Sequence, residues 1–566
     1  MGTVKLSKFG STSGAKPKFI DGTLSIASNT SIKGFDFEDA SITNYSTSNV
    51  TVANNTFTGS VDGNGPINFD GVTDVLIQGN TITTPTAVNP SGLTFFSDTD
   101  GDDVKDTGEA VIASVIGRGI SVKDGNNVRI LSNTIANATG EGIYIENIGT
   151  SSSNLVKSNT VTGMRASLDT NLEAGIFVRN DKDGYIQIDS NTVKDNNLTS
   201  GTGFPASRGG NSTDGIELNL CRGGIHTSAD VDFADGRVGA CSSNATLTAL
   251  ITNNTITDLK GGADGIDTNF GSKGYLDLTV TGNTITGVGD EAFTLDAFAE
   301  ARGGEIVISN NTLKSSGDKG ELKDGSSDGI AVTLHTPADY ATSNESYTVN
   351  SDYDFTITGN TIEVDTANLA GVIKRADKAE GIKFTINEDL NSGTTKVKAL
   401  IENNDIKTRI GDGVEFAVNE KASSGVKFDA DITINNNRIN QTVDAAAGPD
   451  NKSARDLIKG TFGEDGTSSI TTGTFTITNN VLTSAAGAGD AIDYESLSTS
   501  TSNSFKFKID GNNFSAVSDN DVKVAIPAGT FGIYAPDGTT DFVSYLNTNN
   551  TNADVEITGS PTVSRF

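Results

Sequence analysis

One six-residue phrase constrains this chain more than any other feature. An apolar residue is followed by two spacers, an asparagine, one spacer and a second apolar residue, and the phrase occurs thirteen times. It appears as VANNTF around Asn55, IQGNTI around Asn80, ILSNTI around Asn133 and VKSNTV around Asn159. Later copies centre on Asn191, Asn254, Asn283, Asn311, Asn360, Asn404, Asn437, Asn480 and Asn512. A looser phrase runs between them: a polar residue, often an acid, then usually Gly, then apolar-x-apolar. Its anchors are Ile120, Ile143, Ile176, Ile216, Ile266, Phe293, Ile330, Ile382, Val414, Ile458 and Ile492. From Asn80 to Asn512 the two phrases alternate without exception. A fixed order of two strand types at variable spacing is the signature of a coil-by-coil superhelix and not of a string of separate domains.

The physical chemistry supports such a coil. Strands one coil apart stack in register, so their inward Ile and Val side chains form apolar columns. Asparagines at one turn of every coil can hydrogen-bond to the amides above and below, which satisfies polar groups at a buried bend. The shortest spacings, 25 and 26 residues, suit three short strands and their turns. The predicted fold is therefore all-β, a single right-handed parallel β-helix of about 12–14 coils with terminal caps and edge insertions. Residues 49–514 make the solenoid. Residues 1–48 and 515–566 fall outside the alternation and are expected to cap it or dock to other molecules, because the open strands at a solenoid's ends must be covered or paired. Insertions after the Asn phrase, at residues 83–117, 194–213, 314–327, 363–379 and 440–455, are expected to leave the stack along one edge.

Composition narrows the function. Lys and Arg number 41 against 72 Asp and Glu, a formal charge of −31, which excludes a nucleic-acid binder in want of a basic footprint. No stretch is apolar for long enough to insert into a membrane. The two cysteines, Cys221 and Cys241, bracket one Gly-rich segment and are expected to form a disulfide, which favours an oxidising, extracellular compartment. The N-terminus has a basic start without an apolar region, so it is not an ordinary signal peptide.

The sharpest local motif is DTDGDDVKDTGE. Asp98, Asp100, Asp102, Asp106 and Glu109 stand at offsets 1, 3, 5, 9 and 12, with the Val104 carbonyl at 7, which is the ligand spacing of a calcium loop of EF-hand type. It resembles the calcium loops of dockerins and thrombospondin-type repeats, although Asp103 replaces the usual Gly at offset 6. Ca2+ is the expected ligand.

Nearly the whole chain resembles the right-handed parallel β-helix superfamily of pectate lyases, polygalacturonases, phage tailspikes and many surface proteins. Within it, polygalacturonase-like hydrolases carry an Asn-Thr-Asp-Gly motif, an Asp-Asp pair one coil on, then Gly-His-Gly and Arg-x-Lys. The positions that match are Asp264, Asp290 and Glu291, and two carboxylates facing each other across adjacent coils could serve as general acid and base. The departures are severe: the only histidines are His226 and His335, and neither they nor any Arg-x-Lys fall where the motif needs them. Tryptophan, the best platform for stacking on sugars, is absent, and no cluster of Tyr or Phe is visible in its place. The resemblance thus implies the non-enzymatic surface-protein type. The expected function is an extracellular structural rod, an adhesin or the subunit of a surface fibre or matrix, stiffened by calcium and assembling head to tail with itself, with surface polysaccharide as a further partner. The alternatives are a polysaccharide-active hydrolase, lyase or epimerase, and a phage tailspike, for which no trimerising coiled coil is present.

Overall fold

The computed structural model describes residues 16–59, 65–83, 95–96, 111–112, 118–138, 140–164, 174–196, 214–221, 243–259, 263–271, 273–298, 301–315, 328–336, 348–364, 379–387, 392–409, 411–419, 426–442, 456–462, 470–484, 489–496, 502–515, 521–526, 529–534, 542–551, 553–559 and 562–564. Most coils have three strands among the described residues. In one coil these are Ile120–Lys123, Asn126–Leu131 and Thr134–Ala136, here called the first, second and third strands. Every strand pairs in parallel with its counterparts one coil before and after. The second strands form one sheet of 16. The first and third strands form a sheet of 29, joined where Asp36–Tyr45 runs straight through both positions. The chain is a right-handed parallel β-helix.

Register follows from the phrases. All eleven anchors of the looser phrase fall in one column, from Ile120 paired with Ile143 to Ile458 paired with Ile492. The apolar residue two places after each ladder asparagine makes a second column, from Phe57 beside Ile82 to Leu482 beside Phe514. These side chains are buried in one continuous core along the axis. Each buried Ile or Phe contributes about 1.5–3 kcal/mol, and a one-residue slip would turn a whole strand's apolar set outward.

The expected coil count is corrected upward, since 16 second strands are present. Pairing runs on into both flanks, from Lys18–Ser25 on Asp36–Tyr45 to Thr562–Ser564 on Thr530–Tyr534. These outer coils escape the sequence pattern because they lack the repeated phrases. At the first turn of this kind the Phe35 N–H, with no asparagine beside it, donates to Asn55 Oδ1 at 3.0 Å. A helix, Phe542–Asn549, interrupts the last coils. Among the described residues no helix is long and apolar enough to cross a membrane.

The asparagine column is continuous. From Asn55 to Asn512, each residue donates both its backbone N–H and its Nδ2 to the Oδ1 of the asparagine one coil on, at 2.8–3.1 Å. The remaining amide hydrogen goes to a carbonyl of the preceding coil, as from Asn283 Nδ2 to Ile251 O at 2.8 Å. Asn512 donates to Asn550, a rung the sequence pattern missed. The residue before every one of the thirteen has positive φ, from 52° at Ser132 to 69° at Gly282 and Gly511. That left-handed turn explains why the spacer there is always Gly, Asn or Ser.

Candidate functional site

A second column forms where the chain enters the first strand. Two residues before the anchor stand Asp214, Asp264, Glu291, Asp328, Glu380, Asp412, Asp456 and Asp490 on successive coils. The next residue is usually Gly because the start of the strand is pressed against the third strand of its own coil and the first strand of the following one. A Cβ on Gly265 would lie 2.4 Å from Ile285 Cγ2 and 2.5 Å from Ala292 O.

The acids act as backbone acceptors between coils. Asp214 Oδ1 accepts the Asp264 N–H at 2.8 Å, and Asp264 Oδ1 accepts the Glu291 N–H at 3.0 Å. Asp328 takes the Glu380 N–H and Asp456 the Asp490 N–H, both at 2.8 Å. Asp521 repeats the pattern with Asp554 at 2.6 Å.

Further acids join this column, Glu217, Asp267, Glu415 and Asp493 from just past the anchor, on the outward side of the same strand, and Asp290 from just before it. Asp214 meets Glu217 and Asp267; Asp264 meets Asp290 and Glu291; Glu380 and Asp412 meet Glu415; Asp456 and Asp490 meet Asp493. Within each group one oxygen per residue lies within 4.8 Å of the others, so each group could hold a divalent cation. Asn219 Nδ2 holds Glu217 Oε1 at 2.8 Å, and Asn269 Nδ2 holds Asp267 Oδ2 at 2.6 Å. In the C-terminal coils lysines stand in the outward row. Lys383 lies 3.5 Å from Glu380 and 4.0 Å from Glu415, and Lys459 lies 3.6 Å from Glu415 and 3.9 Å from Asp412. Lys523 reaches Asp493 at 3.1 Å and Asp490 at 3.8 Å.

Burial and mutual repulsion disfavour the charged form of several of these carboxyls. Asp214, Asp264, Asp328 and Asp412 are pushed well above the usual carboxylate range, first by desolvation and then by neighbouring acids. Burial, with Asp493 nearby, raises Asp456 to about 7. Burial opposes the charge on Lys383, yet Glu380, Asp328 and Glu415 outweigh it and push its pKa up.

At its N-terminal end the outward row is aromatic. Tyr144 pairs in register with Phe177, and their rings stack at 5.4 Å and 3°. The Arg118 guanidinium caps the Tyr144 ring at 3.6 Å while its Nε bonds Glu141 at 2.8 Å. This corrects the expectation that no aromatic residues cluster. The two are 33 positions apart, and only the coil register brings them together.

The acids of the hydrolase-like match, Asp264, Asp290 and Glu291, do come together. Asp264 is also a rung of a column that repeats through coils with no such match. The loop Asp98, Asp100, Asp102, Val104, Asp106 and Glu109 lies outside the described residues. The chain on either side is joined, Phe95–Phe96 pairing antiparallel with Val111–Ile112. Cys221 is disulfide-bonded, and Cys241 lies outside the described residues.

Residues 19–216 match the family model described as a right-handed beta helix region. No curated protein matches the sequence. Among solved structures, the chain is similar to the Dettilon tailspike protein at 15% identity and a TM-score of 0.26, over 94% of this chain. It spans 63% of that tailspike's length. The match over residues 19–216, with parallel pairing that runs unbroken from coil to coil beyond it, makes this chain a right-handed parallel β-helix protein.

Proposed function

We propose that the chain is a non-enzymatic extracellular rod, a surface fibre or matrix subunit or an adhesin, whose β-helix sets a fixed distance between the loops it carries. The observation that carries this reading is the asparagine column, which passes from Asn55 to Asn550 without a missed rung and ties each of the coils it crosses to the next. Such a column gives a solenoid axial stiffness and no obvious chemistry. The acids best placed for catalysis are partly engaged as backbone acceptors, which favours a structural role for them.

Calcium bound by Asp98, Asp100, Asp102, Val104, Asp106 and Glu109 is proposed to order the first large insertion, and open strands at the two ends to support head-to-tail stacking. Surface polysaccharide is the proposed partner along the edge from which the insertions leave. The test is electron microscopy of the purified chain in about millimolar calcium, near the affinity of extracellular calcium modules, and again in chelator. Filaments with an axial repeat near one rod length, lost in chelator, are expected. Discrete single rods in both conditions would sink the assembly and turn attention to a polysaccharide-cleavage screen.

A further inference from the structure

The acids around Asp214 differ from the later groups in what stands beside them. Outward positions of the first strand stack in register as Phe177, Glu217, Asp267, Thr294, Ala331 and Lys383. In this stretch of the row lysine enters only at Lys383, three coils beyond Asp267. Asp214, Glu217 and Asp267 each bring one oxygen within 4.8 Å of the others. All three are oriented from behind. Asp214 Oδ1 accepts the Asp264 N–H, Glu217 Oε1 the Asn219 amide, and Asp267 Oδ2 the Asn269 amide. Such outer contacts fix the direction in which a carboxylate presents itself to a ligand.

Asn219 points to a ligand on separate grounds. It is 2% exposed, and its Oδ1 accepts no hydrogen bond. A carboxylate only accepts, so the amide nitrogen must face Glu217, which leaves the amide oxygen beside the triad with no donor to meet it. In the same row, next to Asp267, the Thr294 hydroxyl oxygen is also buried without a partner. Buried oxygens left unmet are costly, and adjacent carboxylates add their own repulsion. A hard divalent cation coordinates carboxylate, amide and hydroxyl oxygens alike, so one ion answers all five groups.

We propose that Asp214, Glu217, Asn219, Asp267 and Thr294 form a calcium site that clamps three successive coils. It is separate from the Asp98–Glu109 loop and does not depend on head-to-tail assembly. Calcium suits the set better than magnesium, because it accepts about six to eight oxygens in flexible geometry and magnesium demands a near-ideal octahedron.

The experiment is a calorimetric calcium titration of the full chain carrying Asp98→Asn and Asp100→Asn, which disables the acidic loop. One calcium should bind per chain, with a dissociation constant of about 10⁻⁴ M. Adding Glu217→Gln should abolish the binding heat, and adding Thr294→Val should weaken binding about tenfold. Thermal unfolding gives the second reading. Calcium at about ten times its dissociation constant should raise the midpoint of the loop-disabled chain and leave that of Glu217→Gln where it stands in chelator. Thr294→Val should keep the parent midpoint in chelator, because an apolar group there replaces an unmet hydroxyl. No heat from the loop-disabled chain, or the same heat after Glu217→Gln, would overturn the site. Should Glu217→Gln fail to fold, Thr294→Val decides, and an unchanged calcium affinity in that variant would overturn the site equally.

Discussion

The two columns of this solenoid use polar residues in opposite ways. The asparagine column lies at the turn between second and third strands, the carboxyl column at the start of the first. An amide carries two donors and an acceptor, so each asparagine can complete its own bonds and its neighbour's, and the chain extends through any number of coils. A carboxylate only accepts. An acid such as Asp328 takes the Glu380 N–H of the next coil on one oxygen and leaves the other oxygen buried. A neutral ladder is thus self-sufficient, while an acidic one calls for protons or cations. The C-terminal coils meet that need partly with Lys383, Lys459 and Lys523. For Asp214 and Asp264 the strongest influences besides burial are other carboxyls, and no ion pair reaches either among the described residues.

The comparison breaks most sharply at Asn283→Asp. The carboxylate would face Ile251 O and Asn311 Oδ1, both of which now accept from Asn283 Nδ2. A charge at a 1% exposed site with two acceptors against it should cost roughly 5 kcal/mol. Equilibrium denaturant unfolding would register this as a lower midpoint. A loss below about 1 kcal/mol would mean that the column is not the tie between coils that its geometry describes.

The acidic column gives a smaller, pH-dependent effect at Asp456. Its folded-state value of about 7 lies above the ordinary aspartate range, so the folded chain holds a proton there that the unfolded chain releases. The associated stability is complete below the unfolded value near 3.8 and is lost as pH rises to about 7. Across that window the loss should be roughly 2–4 kcal/mol. Asp456→Asn should remove this part of the slope while its amide oxygen still accepts the Asp490 N–H. An unchanged slope in thermal midpoints between about pH 4 and 7 would assign the titration elsewhere.

Much of this is legible in the sequence. The rungs Asn55 to Asn512 and the eleven anchors repeat in the sequence, and a repeated residue in a solenoid is a stacked residue. Asn550 was not legible because the helix Phe542–Asn549 replaces the apolar-x-x-Asn phrase that marks every other rung. The acids were visible as a phrase, but not their charge balance. Lys383, Lys459 and Lys523 occupy the same outward position of coils 76 and 64 residues apart, and only the register lays them beside Glu415 and Asp493. The same holds for Tyr144 and Phe177. Local strand signals survive in sequence, whereas contacts across insertions of variable length do not.

The finest test concerns the residue before each ladder asparagine. Gly282 has φ 69°, while its counterparts one coil away, Asn253 and Asn310, both have φ 55°. Asparagine tolerates this left-handed turn because its short amide can bond locally, whereas alanine has no such compensation. A Cβ on Gly282 would lie 2.7 Å from Asn253 Oδ1, the end of a side chain that can turn aside. Elsewhere in the column the amides at this position bond one another, as Asn436 Nδ2 does to Asn403 Oδ1 at 2.6 Å. Gly282→Asn should therefore change stability by less than about 0.5 kcal/mol, and Gly282→Ala should cost about 1 kcal/mol. Equal losses in the two variants would show that Gly282 is needed for space. A difference in favour of asparagine would show that the turn's backbone angle alone selects the residue, which makes this outer position exchangeable in a way that the buried rung beside it is not.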